Sequence, residues 1–100
     1  MLVHIWEYRV RPGCEAAFVE HYGSEGAWVR LFRRTRGHRG TELYRDRAES
    51  DRFVTVDRWD SEEVYRAFRD AVGSEFEALD RACEAFTVLE RPLGALEVVA

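Results

Sequence analysis

The side chains best suited to acid–base chemistry lie in two stretches with the alternating pattern of β-strands. Asp57 precedes Trp59 by two residues in FVTVDRW, and His4 precedes Trp6 by two residues in LVHIWEYRV. A carboxyl group buried beside apolar rings has a raised pKa and can act as a general base, and an imidazole titrates near neutral pH. Asp57 and His4 are therefore candidate bases. The alternatives are an ion pair between Asp57 and one of the 15 arginines, and a hydrogen-bonded core position for His4.

The aromatic residues of the same region are candidates for the walls of a pocket. Trp59 ends its strand just before a helix, where its ring can stack on a planar ligand held over the sheet. Tyr65 and Phe68 lie one turn apart near the start of that helix. Packing in the hydrophobic core is the alternative for all three rings. Further ligand contacts are predicted for Trp6, for the Tyr44 hydroxyl, for Arg58 and Arg69 as partners of an anion, and for His38 near the pocket mouth.

Other site chemistries are not indicated. The histidines and carboxylates lack a ligand spacing such as HxxxH, so no metal site is predicted. The glycines form no phosphate-binding loop, and there is no GxSxG motif. Cys14 and Cys83 lie far apart in helical patterns, which indicates two reduced thiols and no disulfide framework.

The composition is that of one folded domain, residues 1–100, with 46% hydrophobic and 34% charged residues. The net charge of −4 argues against nucleic acid as a partner. No apolar run approaches the roughly 18 residues of a membrane span, and the N-terminus does not resemble a signal peptide, so we expect a cytoplasmic protein away from membranes. The cationic residues are all arginine, and no Asn or Gln supplies an amide side chain.

Hydrophobic periodicity predicts four strands and two interrupted helices. The first helix follows Pro12 and is interrupted at 23–26. The second is capped by Asp60 and ends at Gly73, and Ser74 caps its continuation. The predicted strands are Leu2–Val10, Gly40–Asp46, Arg52–Trp59 and Thr87–Arg91, the last of them stopped by Pro92.

This order of elements predicts an α+β, ferredoxin-like βαββαβ fold with an antiparallel sheet. The helices of such a fold cover one face of the sheet. Because the first strand carries apolar side chains on both faces, the open face would expose an apolar patch on the order of several hundred Å². We therefore predict a homodimer in which two sheets close face to face, with the apolar tail at 96–99 packed on the partner.

Several segments together resemble the antibiotic biosynthesis monooxygenase family of dimeric α/β-barrel proteins. The stretch that carries most of the likeness is the strand-terminal Trp59 followed by a polar helix start and an aromatic helix face. The matching segments span nearly the whole chain: the opening strand into VRPGCEAAF, then WVRLFRR, GHRGTELYRD, FVTVDRWDSEEVYRAF and LGALEV.

The resemblance implies a cavity between the sheet and the helices of each subunit. Some members of the family oxidise polycyclic phenols with O₂ and no cofactor, and others degrade haem. The residues thought to act in the cofactor-free members match Trp59 and Tyr65, whereas their strand Asn is replaced here by Thr55, which we expect to contact the substrate. The haem-degrading members use an Asn and a helix His, and this chain has no Asn and no His on that helix.

We therefore expect a cofactor-independent monooxygenase-like protein that acts on a planar phenolic molecule. Asp57 or His4 would form the phenolate, which would react with O₂ between Trp59, Tyr65, Phe68 and Trp6. A non-catalytic binding or accessory dimer is the first alternative, and cyclase or isomerase chemistry in the same cavity is the second. A cavity of roughly 300 Å³ or more beside the helix would favour a ligand-binding function.

Overall fold

The computed structural model describes all 100 residues and contains a four-stranded antiparallel sheet with helices on one face. The elements are β1 (Leu2–Val10), α1 (Glu15–Tyr22), α2 (Ala27–Phe32), β2 (His38–Arg45), β3 (Arg52–Trp59), α3 (Glu62–Ala71), α4 (Gly73–Cys83), a 3₁₀ turn (Glu84–Phe86) and β4 (Thr87–Glu97). The strand order is β2–β3–β1–β4, and each pair is antiparallel. The predicted α+β, ferredoxin-like fold is confirmed.

The hydrophobic core lies between the helices and the inner face of the sheet. Alternation along the strands places His4, Trp6 and Tyr8 of β1 on this face, opposite Asp57, Thr55 and Phe53 of β3. The helices contribute buried apolar side chains to this core, among them Phe18, Phe32 and Phe68. The largest fully buried side chains are Trp59, Phe18, Phe53 and Phe68. None of the helices combines the length and the apolar character needed to cross a bilayer.

The first helix begins later than predicted. Pro12 and Gly13 form a turn in which Gly13 has a φ of +84°, and α1 starts at Glu15. A φ in this region is unfavourable for residues with a Cβ, so Gly13 allows the chain to turn between β1 and the helix. The predicted start of the helix at Pro12 is therefore wrong by one turn.

The caps of the second helical segment also differ from those predicted. Ser61, not Asp60, caps α3, because the Ser61 Oγ accepts a hydrogen bond from the Val64 backbone N–H at 3.2 Å. Asp60 instead forms an ion pair with Arg39. Ser74 caps nothing, since α4 begins one residue earlier and no side chain caps it.

The last strand is longer than predicted and passes Pro92. β4 pairs with β1 as far as Glu97, and its register shifts between the pairs Ile5–Gly94 and Trp6–Pro92. The shift leaves Leu93 as an extra residue in an edge strand, which is where a sheet tolerates proline. The prediction that Pro92 ends the strand is therefore wrong.

The outer face of the sheet carries no helix and mixes apolar side chains with ion pairs. Ile5 and Val56 lie opposite each other at its centre and are half-buried. Glu7 is 4% exposed and is paired with both Arg52 and Arg91. Six of the nine large apolar residues that are exposed belong to β4 and the C-terminal tail, so most of the exposed apolar surface lies at this edge: Val88, Leu89, Leu93, Leu96, Val98 and Val99.

Candidate active site

A cavity of about 250 Å³ lies between the helices and the inner face of the sheet. Its volume is just below the range of roughly 300–1,000 Å³ that is typical of ligand sites. Six of the residues predicted to contact a ligand line it, namely His4, Trp6, Thr55, Asp57, Tyr65 and Arg69. The other eight lining residues were not predicted: Tyr8, Tyr22, Trp28, Phe32, Thr41, Phe76, Asp80 and Glu90.

Asp57 lies on the middle of β3 and faces this cavity. Its Oδ1 accepts a hydrogen bond of 2.7 Å from the Thr41 hydroxyl, and none of the ion pairs in the structure includes it. Burial raises the pKa of Asp57 to about 6, although the bond from Thr41 acts in the opposite direction. The carboxyl group can therefore exchange a proton near neutral pH.

His4 lies directly across from Asp57 in the pairing of β1 with β3. Its ring meets the Tyr65 ring edge to face, with the centroids 4.5 Å apart. Burial lowers the pKa of His4, and the nearby Glu62 opposes this effect. The imidazole therefore favours the neutral form, which is the form that accepts a proton.

Tyr65 and Arg69 lie one turn apart on α3 and close the helical side of the cavity. The Arg69 guanidinium stacks over the Phe76 ring at 3.8 Å and donates a long hydrogen bond of 3.4 Å to the Tyr65 hydroxyl. A cation that faces an apolar cavity in this way can attract an anionic oxygen of a ligand.

Trp59 and Phe68 belong to the core and do not line the cavity. Both are fully buried, and their ring centroids lie 5.0 Å apart. Phe32 and Tyr65 also meet the Trp59 ring edge to face, so Trp59 supports the cavity wall from behind. Direct contact of these two rings with a ligand, as predicted from the sequence, would need the helices to move.

Tyr44 and Arg58 lie on the outer face of the sheet, away from the cavity. The Tyr44 hydroxyl donates to Glu42 at 2.8 Å, and Arg58 forms an ion pair with the same carboxylate. Because side chains alternate between the two faces of a strand, neither residue can reach the inner face. The prediction that they contact a ligand in the cavity is corrected accordingly.

A second polar cluster lies at the β4 end of the cavity and was not predicted. Glu90 accepts hydrogen bonds from the Tyr22 hydroxyl at 3.2 Å and from the Thr87 hydroxyl at 3.3 Å. Burial, followed by the charge of Asp80, raises the pKa of Glu90. Glu90 pairs with Tyr8 across β1 and β4, so its side chain lies on the inner face of the sheet. Simple alternation along β4 does not predict this position, because a bulge shifts the register of the strand.

The comparisons with known structures agree with this architecture. PA3566 from Pseudomonas aeruginosa is 23% identical, with a TM-score of 0.72 over 99% of this chain and 94% of that one. SnoaB from Streptomyces nogalater, a cofactor-independent oxygenase, is 18% identical, with a TM-score of 0.78 over 99% and 93%. A NIPSNAP domain protein from Burkholderia xenovorans is 19% identical, with a TM-score of 0.72 over 100% and 96%. No curated protein matches the chain.

These similarities define the fold class as small α+β proteins of the ferredoxin-like type. The family model of the antibiotic biosynthesis monooxygenases matches residues 1–81. The chain therefore belongs to the antibiotic biosynthesis monooxygenase family, as the resemblance of its segments predicted.

Proposed function

We propose that this protein is a cofactor-independent oxygenase that acts on a planar phenolic molecule in the inner cavity. The observation that carries the proposal is the Asp57 carboxyl group, which faces an aromatic-lined cavity with a pKa raised by burial to about 6. A carboxylate with this pKa can take a proton from a phenol, and the neutral His4 lies directly opposite. The oxygenase function of SnoaB, which shares the fold, supports the same reaction class.

The protein would contribute proton removal, orientation and the exclusion of water. The phenolic O–H breaks and its proton passes to Asp57, which leaves an electron-rich phenolate between Trp6 and Tyr65. The phenolate supplies the electrons that reduce O₂: the C–H bond of a ring carbon breaks, one oxygen atom becomes bonded to that carbon as a quinone oxygen, and the other leaves as water with the proton from that carbon and one proton from solvent. Arg69 would stabilise the phenolate, and the apolar lining would keep its reactive electron pair away from water.

A non-catalytic binding protein is the second candidate, and two observations favour it. The cavity of about 250 Å³ is small for a polycyclic ligand. Thr55, which stands where the oxidising relatives are thought to use an Asn, shares a hydrogen bond of 3.3 Å with the Tyr8 hydroxyl and supplies no amide. Cyclase or isomerase chemistry would use the same base without consuming O₂.

We also propose that the protein forms a homodimer through the outer face of its sheet. The half-buried Ile5 and Val56 at the centre of this face and the exposed Leu96 and Val98 at its edge form one apolar surface. A second copy of the same surface would cover it, and the ion pairs around Glu7 would lie within the contact.

Oxygen consumption with a panel of hydroxylated polycyclic aromatics tests the oxygenase directly. The expected result is turnover that Asp57→Asn lowers by about a hundredfold or more, since the amide cannot take the proton. Asp70→Asn, at an exposed position of α3, is the matched control and should retain full activity. Binding of these molecules without O₂ uptake would favour the binding protein, and an isomerised product without O₂ uptake would favour the isomerase.

A further inference from the structure

Asp57 is one end of a chain of hydrogen bonds that leads out of the cavity. The Thr41 hydroxyl of β2 donates to Asp57 Oδ1 at 2.7 Å, and the Thr41 hydroxyl oxygen lies 2.9 Å from His38 Nε2. Thr41 is 8% exposed, whereas His38 is half-buried and reaches the surface at the start of β2. The three groups therefore connect the half-buried carboxyl at the cavity wall to the protein surface through a single hydroxyl.

Resting on the proposed function, we infer that Asp57, Thr41 and His38 form a proton relay from the cavity to solvent. His38 and Thr41 act through Asp57 and not on the ligand. His38 does not line the cavity, and the Thr41 hydroxyl is already engaged by Asp57 and His38.

The relay works because a hydroxyl group can reverse its hydrogen bonds. With Asp57 ionised, His38 Nε2–H donates to Thr41 and Thr41 donates to Asp57. With Asp57 protonated, the directions reverse, and Thr41 donates to the unprotonated Nε2. Transfer breaks the Asp57 O–H bond and the Thr41 O–H bond, and it forms a new Thr41 O–H bond and an Nε2–H bond. One proton moves from Asp57 to His38, and no electrons are transferred.

The surroundings of His38 suit a transient carrier of protons. Its ring packs against Phe32 and Trp59, with each pair of centroids 5.1 Å apart, which fixes its orientation toward Thr41. Burial and then the charge of Arg33 lower the pKa of His38, and a backbone hydrogen bond with Gly40 opposes them. The imidazolium is therefore disfavoured and passes its extra proton to water.

If the relay carries the proton away from Asp57, a bound phenolate cannot take that proton back and return to the unreactive phenol. The other groups that face Asp57 do not offer an equivalent route. His4 lies across the strand pair but packs against Tyr65, and Thr55 is bonded to Tyr8. The route through Thr41 is thus the one in which each donor meets an acceptor at hydrogen-bond distance.

The exchange of the Thr41 hydroxyl proton with water, measured by NMR at pH 8 in the intact protein without ligand, tests the relay. The expected result is that His38→Gln slows this exchange at least about tenfold, because the amide can hold the hydrogen bond but cannot carry a proton. In Thr41→Ser, the hydroxyl proton of the new side chain should exchange with water at the wild-type rate. Thr35→Val is the matched control, because the Thr35 hydroxyl has no hydrogen-bond partner, and it should also leave the rate unchanged.

A second measurement, the NMR titration of the Asp57 carboxyl, tests whether Thr41 couples His38 to Asp57. Thr41→Val should raise the Asp57 midpoint above about 6, because the bond from Thr41 lowers it. His38→Gln should move this midpoint with Thr41 present and not in the Thr41→Val background. An unchanged exchange rate in His38→Gln would overturn the relay. Neither measurement uses a substrate, so failure of the oxygenase proposal would appear separately as absent O₂ uptake.

Discussion

Asp57 owes its protonation behaviour to a balance in which burial outweighs one hydrogen bond. Burial disfavours the carboxylate, and the single bond from Thr41 recovers part of the loss, which leaves the pKa at about 6. A neighbouring cation would reverse the result, but Arg58 lies on the opposite face of the sheet and pairs with Glu42. The chain contains 15 arginines, and the strand alternation keeps this adjacent one away from the cavity.

The raised pKa makes the stability of the protein depend on pH in a defined direction. The folded protein keeps the Asp57 proton up to about pH 6, whereas the unfolded chain releases it near pH 3.8, so stability falls as pH rises through this window. Asp57→Asn removes the free-energy cost of ionising this carboxyl group in the folded protein. The amide oxygen of the variant can still accept the hydrogen bond from Thr41. We expect the free energy of unfolding to rise by up to about 3 kcal/mol above pH 6 and to change little near pH 3.5, measured by urea denaturation.

The Asp60→Asn variant supplies a control of opposite sign. A hydrogen bond and the charge of Arg39 lower the pKa of Asp60, so this carboxylate stabilises the fold above the unfolded pKa and loses its effect as pH falls. Asp60→Asn should therefore destabilise the protein at pH 7 and have little effect at low pH. A loss of stability in Asp57→Asn at pH 8 would contradict the assigned burial of that carboxyl.

At the scale of elements, the start of α3 depends on a contact that the local sequence does not reveal. Asp60 and Ser61 are both good N-cap residues, and Glu63 makes the stretch beginning at Asp60 a typical capping box. The choice falls on Ser61 because Arg39, 21 positions earlier, binds the Asp60 carboxylate. The backbone N–H of Asp60 also donates to Gly37 at 2.9 Å, which ties the turn before α3 to the start of β2.

The cap can be tested by a pair of serine substitutions. Ser61→Ala should lower the free energy of unfolding by about 1 kcal/mol, since the Val64 N–H loses its acceptor. Ser74→Ala, in the first turn of α4, should have an effect smaller than about 0.5 kcal/mol, because Ser74 is exposed and caps nothing. Both losses are measured by chemical denaturation. Equal losses in the two variants would contradict the finding that Ser61 caps a helix and Ser74 does not.

At the scale of the whole molecule, patterns of period two and of helical spacing are enough to predict the layers. The bounds of β3 and the sharing of one face by His4 and Trp6 follow from alternation alone. The hydrogen bond between Asp57 and Thr41 cannot be predicted from alternation, because it depends on the register between β2 and β3. The same holds for Glu90, whose position depends on a bulge, and for Trp59, whose distance from the cavity depends on how the helices dock.

The outer face of the sheet leads to a prediction about the assembly. If two sheets close face to face, a charge at the centre of the outer face would be buried without a partner, which is costly. Val56→Arg, opposite Ile5, should therefore convert a dimer of twice the 11.7 kDa chain mass into a monomer at micromolar concentration, as measured by sedimentation. Val19→Arg places the same charge on α1, where Val19 is 42% exposed, and should leave the mass unchanged. A wild-type monomer, or a Val56→Arg variant that remains dimeric, would mean that another surface covers these residues or that solvent does.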